Sequence, residues 1–162
     1  SLPFQDSIFD REERAKKLNF GEHTIVYNSS YVFGKVTVNK NTWIGPNTIL
    51  DVIGGNLEIG DFFSVSSGVQ IYTHDNVMWV ISGRSKEFKK EKVKIRDYNY
   101  IGSLSVINLG VNIGNQCVIG ANSFVNCNIP GRSIFSGSPA KKIGEVVGEK
   151  DNLTLQYSNN KG

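Results

Sequence analysis

"IRDYNYIGSLSVINLGVNIGNQCVIGANSFV", residues 95–125, places an aliphatic side chain at every sixth position: Ile95, Ile101, Ile107, Ile113, Ile119 and Val125. A period of six matches neither the 3.6-residue helix nor the two-residue alternation of a plain amphipathic strand. It suits a strand of a few residues followed by a tight turn, repeated without a break. Three such units close a triangular coil of about 18 residues, and successive coils stack as parallel strands roughly 4.8 Å apart. The aliphatic residue of each unit fills the prism interior. Glycine follows three of them, as Ile101-Gly102, Ile113-Gly114 and Ile119-Gly120, where a corner favours close backbone approach or positive φ. Small or modest residues (Asn99, Ser105, Val111, Cys117, Ser123) recur two places before the next aliphatic.

An earlier run in the same style passes through Val26, Val32, Val38, Ile44 and Leu50. After a slip of three at "DVI" it resumes at Ile53, Ile59, Val65 and Ile71. The period then stops, and "DNVMWVISGRSKEFKKEK", residues 75–92, must leave the prism before Ile95 re-enters it. A stretch of that length without the repeat is most often functional. Its apolar cluster Val77–Ile81 calls for a cover, and a neighbouring subunit of a cyclic oligomer would supply one. Ahead of the prism, "DSIFDREERAKKLNFG" predicts one short helix with Asp6 or Ser7 as cap and Gly21 as stop. The expected organisation is therefore a helical segment over 1–24, a β-helix over 25–143 with a protruding loop at 75–94, and an irregular tail over 144–162.

Composition excludes several classes. The chain has 162 residues, 39% hydrophobic and 20% charged, which suits one globular domain. No apolar run approaches the roughly 20 residues of a membrane span, and the N-terminus lacks the order of a signal peptide, so a cytoplasmic location is expected. A net charge of +3 without an arginine-rich motif does not point to nucleic acid. Within 84–96, however, seven basic residues face two acids, which reads as a solvated loop or as a patch for a polyanionic ligand or a second subunit. Cys117 and Cys127 read as reduced thiols, and with His23 and His74 they form no zinc signature, so no metal is expected.

The chain resembles the hexapeptide-repeat acyltransferases over residues 40–143. The resemblance runs through "WIGPNTILD", "LEIGDFFSVSSGVQIYTHD", "YIGSLSVINLGVNIGNQCVIGANSFV" and "IPGRSIFSGSPAKKIG", and is strongest to the galactoside and maltose O-acetyltransferases and to O-acetyltransferases of surface polysaccharides. It implies an all-β, left-handed parallel β-helix, a homotrimer, and acetyl-CoA as acyl donor. The left hand comes from the resemblance alone, since crossovers are otherwise right-handed.

His74 matches the catalytic histidine of the family motif. A neutral imidazole can accept the proton of an acceptor hydroxyl as that oxygen attacks a thioester, and no elbow or triad around Ser66, Ser67 or the cysteines argues for a covalent intermediate. The resemblance further assigns the backbone N–H of Ser103 to the oxyanion, Tyr100 and Ala121 to the cofactor's arm, and Lys141 with Lys142 to its phosphates. Tyr100 stands where several relatives carry tryptophan, and Asn126-Cys127 stands where they often carry Thr-Lys, so Arg132 is a candidate replacement contact. On the acceptor side it assigns Asp51 to a sugar hydroxyl, with Asn47 nearby; either residue also suits capping of a β-helix turn. Trp79 is a candidate sugar platform, though subunit packing explains it equally well.

The function expected is acetyl transfer to a hydroxyl of a sugar or sugar-containing acceptor. Alternatives are N-acetylation of an amino sugar, acetylation of an antibiotic in the streptogramin manner, and a structural β-helix with an inactive site. A zinc hydratase is disfavoured because two histidines per chain, one outside the prism, cannot supply three ligands.

Overall fold

The structure, a computed structural model, describes Ile8 and residues 10–158. Its core is a three-faced prism of parallel strands wound as a left-handed β-helix. The first face carries Ile25–Val26, Trp43–Ile44, Ser64–Val65, Tyr100–Ile101 and Val118–Ile119. Tyr31–Phe33, Ile49–Asp51, Gln70–Tyr72, Val106–Ile107 and Phe124–Val125 make the second. The third holds Thr37–Val38, Leu57–Ile59, Val93–Ile95 and Asn112–Ile113.

Register follows the six-residue period. Ile95 lies beside Ile113, Ile101 beside Ile119 and Ile107 beside Val125, each 18 residues on. All six aliphatics of residues 95–125 are buried, and each contributes about 1.5–3 kcal/mol by leaving water. The coil below is longer, with Ile44 beside Val65, 21 residues on. The three extra residues fall between Leu50 and Leu57, so Ile53 does not resume the interior series as expected but stands 64% exposed, and Leu57 and Ile59 take the interior. The reason is local: Asp51 holds the Ile53 N–H at 2.9 Å and folds the segment outward as a bulge ending in Gly54-Gly55.

The corner glycines also differ from expectation. Gly102, Gly114 and Gly120 do not have positive φ; that conformation falls two residues later, on Leu104, Gln116 and Asn122. What excludes a side chain is the next coil, since a Cβ on Gly102 would lie 2.5 Å from the Ala121 nitrogen. The recurring small polar residues satisfy the corner carbonyls. Ser105 and Ser123 both donate to the Gly120 carbonyl, and the Asn99 amide donates to Gly114 and Arg96 while its oxygen accepts from the Cys117 N–H. Buried backbone groups at a sharp corner need such partners. Burial pushes the Cys117 thiol up, in keeping with a packing role, and Cys127 is exposed; both are free.

Both ends are capped. The N-terminal helix spans Arg11–Lys17, with the Asp10 carboxylate accepting from the Glu13 N–H. Asp6 and Ser7, the expected caps, lie outside the described residues, and the helix ends before Gly21, with Asn19 in the left-handed conformation. Arg14 ties the helix to the first coil through the carbonyls of Tyr27 and Ser30. At the other end, the residues after 143 are not irregular. Ser133–Gly137 adds a last parallel strand to the first face beside Val118–Ile119, and Ala140–Val147 and Thr154–Tyr157 continue from it as an antiparallel meander. The hexad rule stops there because turns at Ser138-Pro139 and Gly148 reverse the chain instead of passing it round a corner.

Candidate active site

His74 sits where the second face turns toward the third, immediately after Gln70–Tyr72. The backbone at this corner is tightly held: the Thr73 hydroxyl donates to the Asp51 carbonyl of the coil below at 3.0 Å, and the Glu91 N–H donates to the Thr73 carbonyl at 2.9 Å. The 75–94 excursion is an ordered arm. His74–Asp75 pairs antiparallel with Lys89–Lys90, a short helix spans Val77–Ile81, and the prism is re-entered at Val93, two residues before Ile95.

Asp51, expected to meet the acceptor, turns its carboxylate toward His74. Its Oδ2 lies 3.4 Å from Nδ1 of the imidazole, and the carboxylate is otherwise buried. Nδ1 is itself buried and completes no aligned hydrogen bond. Asp51, Tyr72, His74, Asp75, Asn76 and Asn108 line a polar cavity of about 370 Å³. Burial, and then the Asp51 charge, push the Tyr72 phenol up, so it stays protonated and donates to Gln70 at 2.5 Å. Gly54, in the inserted bulge, lies under the histidine: a Cβ there would stand 2.3 Å from the His74 Cβ and 2.6 Å from the Thr73 carbonyl oxygen. An imidazole with a buried carboxylate behind it and an open cavity in front has the geometry for proton transfer with a bound hydroxyl or amine.

Three further features of this site were not read from the sequence. Phe88 stacks on the His74 ring, with centroids 6.3 Å apart and planes within 7°. Trp79 does not face His74 but meets Phe88 edge-on at 5.5 Å, and the Arg84 guanidinium lies over the Trp79 ring at 5.1 Å. Asn108, contributed by the next coil, closes the cavity. Pairing across an excursion of this length leaves no periodic signal, and Phe88 stands alone among charged residues in "RSKEFKKEK".

The residues assigned to the acyl donor lie elsewhere in the chain. Ser103 and Ala121 stack at the corner between the first and second faces, where the Asn122 N–H donates to the Ser103 carbonyl at 2.8 Å. Asn47 occupies the same corner two coils lower, with φ 57° and its N–H on the Ser29 hydroxyl, so it is not part of the His74 cavity. Lys141 pairs with Ser136 in the meander, whose hydroxyl lies 2.6 Å from where a Gly120 Cβ would be. Ser103, Ala121 and Lys141 thus form a column along one edge. Tyr100, half exposed, lines an apolar groove of about 610 Å³ between the first face and the meander, with Trp43, Phe62, Tyr98, Leu153 and Leu155. Within one chain the second face separates Ser103 from His74. The chain between Ser103 and Asn108, which borders the histidine, spans at most about 17 Å.

Acetyl coenzyme A fits this column. Ser103 and Ala121 donate no backbone hydrogen bond among the described residues, so their N–H groups are available to a bound thioester and its arm. Lys142 is paired with Glu145 at 2.6 Å, while Lys141 has no ion-pair partner among the described residues and is the freer cation for a phosphate. No group of side chains able to hold a metal is found among the described residues, and no described helix is long and apolar enough to cross a membrane.

A parallel β-helix of six-residue units with a histidine at the rim of its one long excursion defines a hexapeptide-repeat protein. No family model matches the chain. It is 30% identical over 130 residues to the galactoside O-acetyltransferase of Escherichia coli, covering 68% of this chain and 64% of that protein. It is 36% identical over 91 residues to CapG of Staphylococcus aureus, covering 56% and 53%. In both cases the chain spans less than two thirds of the relative. Among solved structures, a hexapeptide-repeat acetyltransferase of Vibrio cholerae complexed with acetyl coenzyme A superposes with TM-score 0.78, 26% identity and coverage of 86% and 80%. AntD, an N-acyltransferase of Bacillus cereus solved with dTDP and 3-hydroxybutyryl-CoA, gives 0.67, 25%, 83% and 88%. The chain belongs to the hexapeptide-repeat acyltransferases.

Proposed function

We propose that this protein is an acetyl-CoA-dependent acetyltransferase that acts on a hydroxyl of a sugar or sugar-containing acceptor, as a homotrimer. The observation that carries the reading is the His74–Asp51 pair at 3.4 Å, set in a polar cavity at the foot of an arm. Bound acetyl coenzyme A supplies the thioester carbonyl. His74 removes the proton of the acceptor hydroxyl, and the Asp51 carboxylate stabilises the imidazolium that results. The Ser103 N–H meets the developing oxyanion, Tyr100 and Ala121 hold the cofactor's arm, and Lys141 meets its phosphates. Asn108 and Tyr72 are added to the acceptor side, while Trp79 braces the arm. The likeness to the galactoside O-acetyltransferase supports an oxygen acceptor.

Two exposed apolar surfaces support the ring assembly. Val77, Val80 and Ile81 of the arm are exposed, as are the apolar side chains lining the Tyr100 groove, and the two lie on different parts of one chain. Surfaces that differ close into a ring when each copy engages the next. Such a ring would bring the His74 of one copy toward the Ser103 edge of its neighbour, which a single chain does not do.

AntD's likeness favours a second reading, acyl transfer to the amine of an amino sugar on a nucleotide. One assay tests both. Release of free coenzyme A is followed with sugars, amino sugars and nucleotide sugars, and the product is treated with neutral hydroxylamine. An O-acetyl product is cleaved once the hydroxylamine is made alkaline, since at neutral pH only the thioester donor reacts; an amide survives. Thiol release with none of the panel would sink the proposal.

A further inference from the structure

The long Nδ1–Asp51 contact raises a question of geometry. A separation of 3.4 Å without an aligned hydrogen bond restrains the imidazole edge only loosely, and it leaves rotation of the ring about its own plane to something else. The remaining restraints visible around His74 are Gly54 beneath its Cβ and Phe88 on its face. Gly54 limits the backbone but does not touch the ring. Phe88 faces the ring: its plane is parallel to the imidazole with centroids 6.3 Å apart, within the offset-stacked range of aromatic pairs, and the residue is 40% open to solvent. Phe88 is in turn held at its edge and through its backbone. Its neighbours Lys89–Lys90 pair with His74–Asp75 in register Lys90 to His74, Trp79 abuts its edge, and Arg84 covers Trp79.

We infer that Phe88 is the positioning residue of the catalytic base: the column imidazole–Phe88–Trp79–Arg84 holds the plane of the His74 ring, and Asp51 supplies charge rather than orientation. The inference rests on the proposed role of His74 as base. It also gives the excursion a purpose beyond covering a subunit, since the chain must travel from Asp75 to Lys89 to return a ring to the histidine it has just left. Phe88 touches neither acceptor nor donor in this assignment. It acts through His74.

Two measurements separate this role from plain packing. The chain holds only two histidines, so the carbon-bound protons of His74 and His23 are resolved in an NMR spectrum and His23 serves as internal reference. Phe88→Leu, which keeps an apolar side chain but removes both the ring current and the ring contact, should move the His74 ring protons while leaving those of His23 in place. In steady-state kinetics, Phe88→Leu should lower kcat by about 10-fold to 100-fold, the scale of a base misplaced by an ångström or less, with donor KM unchanged. Phe88→Tyr, which restores a ring, should recover most of that loss. His74 ring protons that do not move in Phe88→Leu overturn the inference whether or not the enzyme turns over. A Phe88→Leu enzyme with native kcat overturns it as well, as does a Phe88→Tyr enzyme no better than Phe88→Leu. If instead His74→Ala retains activity, it is the assignment of the base that falls, a result independent of the stacking signal.

Discussion

Gly54→Ala adds one methyl group in a place where its consequences can be followed to a distance. The new Cβ would stand 2.3 Å from the His74 Cβ, 2.6 Å from the Thr73 carbonyl oxygen and 3.0 Å from the Thr73 carbonyl carbon. Ordinary contact begins at 3.4 Å, so the two elements must part by about 1.1 Å. Two of the three obstacles are backbone, held by the Thr73–Asp51 and Glu91–Thr73 hydrogen bonds, and cannot rotate away. Overpacking of this kind costs about 1–3 kcal/mol and should lower Tm by about 2–4 °C per kcal/mol. A base moved by an ångström loses about 10²-fold in rate. Gly54→Ala is therefore expected to fold, to bind acetyl coenzyme A as the native protein does, and to turn over about 10²-fold more slowly by thiol release. Gly55→Ala is the matched control, because its Cβ would lie no closer than 3.3 Å to the Lys92 nitrogen and needs only a few tenths of an ångström of relaxation. Native kcat in Gly54→Ala would refute the reasoning, and so would equal losses in both variants, which would indicate general loosening of the bulge.

His74→Ala should lower kcat/KM by about 10²-fold to 10⁴-fold with Tm and donor affinity nearly native, and the pH–rate profile should lose its acidic limb; early melting with native turnover per folded molecule would show a packing histidine instead. Asp51→Asn keeps the volume and the acceptor for the Ile53 N–H but removes the charge facing Nδ1, so kcat should fall while donor KM holds. The same variant tests Tyr72. Because burial and then Asp51 raise its ionisation above 10.0, its contribution to stability is whole below about pH 10 and is lost as pH rises through the folded-state value. Asp51→Asn should bring the Tyr72 titration down, and Tyr72→Phe should flatten the alkaline loss of stability, both followed by tyrosinate absorbance and thermal melts. Lys141→Ala should raise donor KM several-fold and weaken its salt dependence, whereas Lys142→Ala, already paired with Glu145, should do less in the same titration.

The prism was legible because each six-residue unit repeats one local decision. An interior just wide enough for aliphatic side chains rejects anything else at Ile95, Ile101, Ile107, Ile113 and Ile119, and a corner pressed against the next coil rejects a side chain at Gly102, Gly114 and Gly120. Ile53 misled for the same reason. It is aliphatic and in phase with Ile59, Val65 and Ile71, yet a three-residue bulge puts it in water, and phase alone cannot distinguish an insertion from a turn of the prism.

The histidine was legible through its motif, but its surroundings were not. Asp51 and His74 are 23 residues apart, Gly54 and His74 are 20 apart, and Phe88 returns from across an arm, so no local pattern links any of them. Sequence alone determined the coil of six-residue units and most of its interior, because those follow from contacts that recur at a fixed spacing, and it offered His74 as candidate base through the family resemblance. Tertiary structure decided that Asp51 faces the base, that Phe88 lies on it, and that Ser103 stands across a face from it. Those relations depend on how coils of 18, 21 and 36 residues stack in register, and a coil's length fixes which side chains meet only once the helix is wound.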